Sequence, residues 1–347
     1  MGFTLADLAQ LVGGTLHGDG DLEITGASII RDVQAGEISL ADRPELAGDL
    51  GESSAVAAVV CEKYLPTHIP YILVDDVHAS FAEIVKQFLP EPIQKQPGIH
   101  PAAYVAESAT IEANVSISPG AYIGEAAIIR QGAVIHSGCQ VNDRCEVGEG
   151  SVLHSGAVLY ERTIIGKRCI IHANAVLGAY GFGYDSSSGK HILSAQLGNV
   201  ELHDDVEIGA CTTIDRGTYG TTVIGEGTKV DNQVQIAHNC LIGKHNMLCS
   251  QVGIAGSSTT GEYVVMAGQA GLRDHVHIAD NVTIGAKSGV VCDLTSGQTV
   301  LGAPAIPAKD KKLEVALLSK LPEMRRHVKS LLNRIDKLES APMKKAS

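Results

Sequence analysis

Residues 121–165 read AYIGEAAIIRQGAVIHSGCQVNDRCEVGEGSVLHSGAVLYERTII, with an aliphatic residue at every sixth place. Extended both ways, the series is Ile99, Val105, Ile111, Ile117, Ile123, Ile129, Ile135, Val141, Val147, Leu153, Leu159, Ile165, Ile171 and Leu177. Ile, Val and Leu make up about a quarter of the chain, so this run arises by chance roughly once in 10⁸ trials. The register breaks, resumes at Leu202, Ile208 and Ile214, and breaks again. It then runs from Ile224 through Val230, Ile236, Ile242, Leu248, Ile254, Thr260, Met266, Leu272, Ile278 and Ile284 to Val290, where only Thr260 is not large and apolar. A period of six is neither helical nor an alternating strand. A short strand and a tight corner in each hexad satisfy it. The aliphatic residue points into a narrow core, and a small residue four places on (Ala121, Ala133, Cys139, Cys145, Ser151, Cys169, Cys240) lets the chain turn. Three hexads close a triangular coil, and stacked coils place parallel strands ~4.8 Å apart. The expected fold is mainly β, a parallel β-helix.

Composition agrees with so slim a prism. The 347 residues are 44% hydrophobic, yet include four Phe, nine Tyr and no Trp against 38 Gly. Wholesale disorder is excluded, and the formal charge of −12 argues against a nucleic-acid-binding surface. No apolar run approaches the ~18 residues of a membrane span. The opening MGFTLADLAQLVGG lacks the basic and small-residue features of a secretory signal, so the expected location is cytoplasmic. Eight cysteines without a C-x-x-C pair read as reduced thiols used as small apolar fillers.

Three segments are expected: a small α/β domain over residues 1–98, the β-helix over 99–302 and a helical extension over 303–347. In the first, Thr4 and Asp7 form a capping box for a helix to about Leu11, stopped by Gly13 and Gly14. Ala55–Cys61 and Tyr71–Val74 read as strands, Asp76 caps a helix over Val77–Phe88, and the Pro-rich stretch Leu89–Pro101 reads as a linker. The prism's breaks, one across Gly178–Val200 with Gly181-Phe182-Gly183 and one at Asp215-Arg216-Gly217-Thr218-Tyr219-Gly220, are insertions of the kind that carry function in solenoids. In the extension, Met324, Val328, Leu331, Ile335 and Leu338 make a short heptad stripe that one helix cannot bury alone, so self-association is expected. Residues 309–347 carry a net +6 while the rest carries −18, which suits docking of an acidic partner.

The densest polar run is Asp231-Asn232-Gln233-Val234-Gln235-Ile236-Ala237-His238-Asn239-Cys240. His136, His154 and His172 recur once per three hexads and read as a structural ladder on one corner. His238 differs in its company: it follows the inward Ile236 and reads as lying near Asp231 and Asn232, a setting suited to a general base. Zinc is the competing use of histidine, but His238 and His245 are seven apart and His275 and His277 two apart, a poor ligand spacing.

The hexads resemble those of the hexapeptide-repeat acyltransferases, which implies that the helix is left-handed. More narrowly, IDRGTYGTTVIGEGTKVDNQVQIAHNCLIG and QVGIAGSSTTGEYVVMAGQAGLRDHVHI are similar to the UDP-3-O-(3-hydroxyacyl)glucosamine N-acyltransferases of lipid A synthesis, as are the FTLADLAQLVGG opening and the GxPAIPxK ending. The resemblance implies a homotrimer that moves a 3-hydroxyacyl group from acyl carrier protein to the 2-amine of a UDP-sugar. It implies no tightly bound cofactor and no metal, with 4′-phosphopantetheine arriving on the donor. It further implies His238 as general base, the Gly256 N–H as oxyanion donor, His275 as a substrate or pantetheine contact, and Asp231 and Asn232 as orienting or substrate-binding groups. There is one departure. Where the family carries an aromatic pair for uracil, this chain has Leu40 and Leu46, with Arg43 between them as a candidate to contact the diphosphate or to stack on the base. Acylation of another nucleotide sugar, a zinc hydratase and a non-catalytic scaffold are the rival readings.

Overall fold

The computed structural model describes residues 2–66, 68–89, 97–302, 305 and 307–339. The chain divides into two compact units, Met1–Gln94 and Lys95–Ser347. Residues 90–96 of the expected linker, 303, 304 and 306 of the GAPAIP segment, and the side chain of Leu338 lie outside the described residues.

In the first unit the Thr4–Asp7 capping box is present: each residue's side chain takes the other's backbone N–H, opening helix Leu5–Leu11. The chain then turns through Gly13, whose φ of +63° a glycine adopts without strain. Asp76 caps helix Val77–Phe88, which buries Val77, Phe81 and Ile84 against the sheet. That sheet orders its strands Thr15–His17, Tyr71–Leu73, Ala57–Val60, Glu37–Ala41 and Gly26–Ala27, all but the first pair parallel. Strand Glu37–Ala41 and helix Pro44–Leu50 occupy the segment that the sequence offered only as a nucleotide contact.

The second unit is the left-handed parallel β-helix that the resemblance implies, followed by helices. Its strands form three parallel sheets of eleven, ten and nine strands, the first, second and third sides of a prism. Nearly every strand is two residues long, outward then inward, and the inward residue is the aliphatic of the hexad. These side chains fill one continuous core with the small residues of the corners. Register partners stand one three-hexad coil apart, as in Tyr122 with Gln140 and Ile128 with Glu146, so each position of the coil stacks in a column.

Closing a corner within a hexad drives the backbone into the left-handed region. Eighteen non-glycine residues among those described have positive φ, Arg144, Asn239 and Tyr263 among them. An L-residue there costs roughly 1–2 kcal/mol. Hydrogen bonds to the preceding coil offset that cost: Arg144 N donates to Glu125 O at 2.8 Å and Tyr263 N to Lys244 O at 3.0 Å. The buried corner cysteines have more than a filling role. The Sγ atoms of Cys139, Cys145, Cys169 and Cys240 donate to His154 O, Tyr160 O, His203 O and Ala255 O at 3.0–3.3 Å. Burial pushes the Cys145 thiol up to about 12, which keeps it protonated and inert. Cys211 and Cys292 are exposed and fill nothing.

The one exception in the aliphatic register is explained by a buried polar pair. Thr260 Oγ1 accepts from Gly243 N at 3.0 Å and from Asn246 Nδ2 at 2.8 Å, while Asn246 Oδ1 accepts from Val264 N at 2.6 Å. Asn246 is fully buried, so its amide requires these partners. Thr260→Val restores the repeat pattern but orphans the Gly243 N–H and one Asn246 bond. It is expected to lower unfolding free energy by about 1–3 kcal/mol in denaturant titration, although pattern alone says it should stabilise.

Candidate active site

Register on the second side shows where the extra residues leave the prism. Val176 pairs with Thr213 and Thr213 with Gln235, and both steps overrun the regular coil that joins Tyr122 to Gln140. Both insertions depart at the edge between the second and third sides, in successive coils. His238 occupies the same edge in the next coil, directly after strand Gln235–Ile236, and Gly256 occupies it one coil later. The sequence breaks and the imidazole are therefore neighbours in space.

The His238 ring lies between two glycines. A Cβ on Gly256 would sit 2.6 Å from Cε1 and 2.7 Å from Nε2 of the imidazole. A Cβ on Gly181, the first glycine of the GFG insertion, would sit 2.8 Å from its Cβ and 2.9 Å from Cδ2. Neither position accepts a side chain without displacing the ring. Gly256 is buried, and among the described residues its N–H donates to no acceptor. The flanking Ala255 and Ser257 N–H groups are used, on Leu272 O at 3.2 Å and His238 O at 2.9 Å. A buried, unspent backbone donor beside an imidazole can receive a developing oxyanion.

Asn239 sets the imidazole's tautomer. Its Oδ1 accepts the Thr218 N–H at 3.0 Å, which fixes the orientation of the amide, and lies 3.1 Å from His238 Nδ1. An amide oxygen only accepts, so Nδ1 carries the proton and Nε2 presents its lone pair. Asn239 itself is held in the left-handed region, with its N–H on Thr222 Oγ1 at 2.9 Å. Asp215, at the start of the second insertion, lies near enough for the His238 charge to act on it. Burial pushes its carboxyl up, against the pull of the Gln235 hydrogen bond and of His238. One coil below His238, Arg216 is 3% exposed: its Nε donates to Gly178 O at 2.6 Å and its Nη2 to Glu161 Oε2 at 2.8 Å. The guanidinium stands 5.1 Å from the Tyr180 ring centroid, so it ties the first insertion's root to the second.

Of the other anticipated residues, His275 shares this edge and the rest lie elsewhere. His275 reaches the same edge one coil beyond Gly256, with its N–H on Gly256 O at 3.1 Å, a largely exposed ring and Nδ1 3.0 Å from Asp274 Oδ2. Asp231 and Asn232 do not adjoin His238. They follow strand Lys229–Val230 and so lie on the edge between the first and second sides, because one full strand of the second side intervenes. There Asn232 Oδ1 accepts the Ala210 N–H at 2.6 Å, and a groove is lined by Asp231, Asn232, His172, Glu207 and Lys229. His136, His154 and His172 stack on that edge with centroids 5.0 and 5.1 Å apart, as a ladder should. His245 follows strand Leu241–Ile242 at the third edge and stacks on Tyr263, away from His238. Among the described residues no three His, Cys, Asp or Glu side chains converge as a metal site would require.

In the N-terminal unit Arg43 is exposed, with Nε 3.3 Å from Asp42 Oδ1. Leu40 and Leu46 pack into two different apolar clusters, so they do not face each other across a ligand slot. Sequence reasoning named Gly181 and Asp215 only as members of the insertions and gave Asn239 no role. The signal for the first two was the position of the insertions, and for Asn239 an amide at a left-handed corner directly after the histidine.

The family model of the bacterial transferase hexapeptide (six repeats) matches residues 145–179 and 221–256, the second of which contains His238 and Gly256. A UDP-3-O-acylglucosamine N-acyltransferase of Rhodopirellula baltica is 49% identical, over 98% of this chain and 95% of the relative. That of Syntrophobacter fumaroxidans is 45% identical over 98% and 96%. Among solved structures, the Arabidopsis UDP-N-acetylglucosamine acyltransferase matches 59% of this chain and 71% of its own, with a TM-score of 0.55 and 28% identity.

Two substitutions test the tautomer. Asn239→Ala removes the acceptor, and turnover is expected to fall by most of the roughly 10²–10⁴-fold that a general base supplies. Asn239→Asp keeps the acceptor but adds a negative charge that favours the protonated imidazole. The acid limb of the kcat/KM–pH profile is then expected to move to higher pH.

Proposed function

The chain belongs to the UDP-3-O-acylglucosamine N-acyltransferases, and on that premise we propose which of its residues carry the acyl transfer and what they act on. It is an acyltransferase of lipid A synthesis whose acceptor is a UDP-sugar. The acceptor's 2-amine attacks the carbonyl carbon of a 3-hydroxyacyl thioester. A C–N bond forms, the carbonyl π pair moves to oxygen, and the Gly256 N–H meets that oxyanion. His238 Nε2 takes the proton released by the nitrogen, and Asp215 steadies the resulting imidazolium. The tetrahedral intermediate then collapses, the C–S bond breaks, and the imidazolium returns the proton to the leaving thiolate. The observation that carries this reading is the fixed tautomer: Asn239 Oδ1 holds the Nδ1 proton and leaves Nε2 free beside the unspent Gly256 donor. A thioester is already electrophilic, so positioning, one base and one oxyanion donor suffice.

The donor thiol is that of 4′-phosphopantetheine on acyl carrier protein. The support is charge, because residues 309–347 are net positive in an otherwise acidic chain. His275 contacts the substrate or the pantetheine arm, a reading supported by its exposure at the same edge. Arg43 offers an exposed guanidinium to the nucleotide diphosphate, in place of the ring stacking that Leu40 and Leu46 do not provide. The reaction belongs in the cytoplasm, where acyl carrier protein and nucleotide sugars meet, and no helix among the described residues is long and apolar enough to cross a membrane.

The working form is a homotrimer. Met324, Val328, Leu331 and Ile335 leave an apolar stripe about half exposed along helix Leu321–Glu339, as a surface that pairs between chains does. A neighbouring protomer then supplies Asp231 and Asn232, which their own coil holds on a different edge from His238. His238→Ala is expected to lower turnover by at least about 10²-fold; retention of more than a tenth would remove it as the base. Co-expressed His238→Ala and Asn232→Ala chains are expected to regain activity that neither has alone; if mixing restores nothing, the shared site is wrong.

A further inference from the structure

Most of the first insertion is exposed: Phe182, Tyr184, Ile192, Leu193 and Leu197 all face outward. Gln196 is the buried side chain beside the buried glycines Gly181 and Gly198. It is 6% exposed, and both ends of its amide are spent on one residue. Its Oε1 accepts the Gly181 N–H at 2.8 Å, and its Nε2 donates to Gly181 O at 2.8 Å. That is the pairing two strands would make, supplied here by a side chain to a glycine where any Cβ would run into His238.

The next residues complete a circuit. Leu197 N donates to Thr218 O at 2.7 Å, Thr218 N donates to Asn239 Oδ1, and Asn239 Oδ1 accepts from His238 Nδ1. Gly198 presses so closely on Gly217 and Gly220 that a Cβ there would overlap both carbonyls. The imidazole is thereby held twice, its proton by Asn239 and its flank by Gly181, and both holds run through the two insertions.

We infer that Gln196 is a positioning residue for the acyl transfer: by clamping both backbone groups of Gly181 it fixes the wall that sets the His238 rotamer. The inference rests on His238 as the base. A loop staple would need only one of the two bonds, and any buried partner would serve. The bidentate amide instead fixes the distance and the tilt of Gly181, the two quantities the ring's flank depends on. A displacement on the order of 1 Å at a reacting group costs about 10²-fold in rate, so the clamp bears on turnover more than on binding.

The test uses the full chain, with UDP-3-O-acylglucosamine and a 3-hydroxyacyl carrier protein as substrates. Gln196→Met keeps length without hydrogen bonds; kcat is expected to fall about 10- to 100-fold, with KM for either substrate changed less than about threefold. Gln196→Glu supplies the sharper readout. The un-ionised acid still accepts from the Gly181 N–H and donates to Gly181 O, whereas the carboxylate repels that carbonyl. Burial and the facing carbonyl raise the pKa of the introduced acid, so the variant is expected to work toward low pH and lose activity as pH rises, a limb absent from the parent. A Gln196→Glu profile parallel to the parent's overturns the inference, as does a Gln196→Met loss that lies in KM or is absent. His238→Ala, measured alone, reports separately on the base, so failure of that assignment is distinguishable from failure of the clamp.

Discussion

The closed coil of three hexads governs everything else in this protein. Three inward aliphatics per turn fill a prism too thin for rings, and each turn must pair with the turns above and below along all three sides. A residue cannot be added within a side without throwing every later inward position out of register. Surplus chain therefore has to leave at a corner. Here it leaves twice, at one edge and in successive coils, and the histidine stands in the coil that follows. The location of the chemistry is a consequence of where the repeat tolerates interruption.

Within that edge, small residues and amides do what charged groups do in other sites. Gly181 and Gly256 are glycines because an imidazole occupies the space their side chains would need. Asn239 is an amide because its oxygen must take a backbone N–H and a ring N–H together, and a neutral acceptor does so without pulling the histidine toward its charged form. Arg216, the buried cation among the described residues, is satisfied by a carbonyl, a carboxylate and two tyrosine faces, so it ties two loops without leaving an uncompensated charge.

Legibility in the sequence followed the range of the interactions. The hexads, the capping box at Thr4 and the histidine ladder depend on fixed offsets along the chain, and each stands where its spacing placed it. Thr260 looked like a lapse in the pattern because its justification, Asn246, lies in the preceding coil. Asp231 and Asn232 were misplaced beside His238 for the converse reason: the residues between them are few, but they turn one corner and traverse one side of the prism. Gly181 and His238 are distant in the chain and come together only through the insertions, and no periodicity reports that contact. Leu40 and Leu46 were compared with a ligand slot, whereas the backbone of a strand and a helix assigns them to separate apolar clusters.

The solenoid also arranges its parts by distance from its ends. Within one chain each coil pairs only with the coils before and after it, so the outermost coils have a strand partner on one side alone. Ile99, in the first strand, is already half exposed, while Ile236 has further strands on both flanks of its sheet. Amide exchange should therefore slow progressively toward the middle of the stack, and the imidazole's coil should keep its shape while the outermost turns breathe. Coils on both sides of the imidazole's own stand between it and the ends where fraying starts.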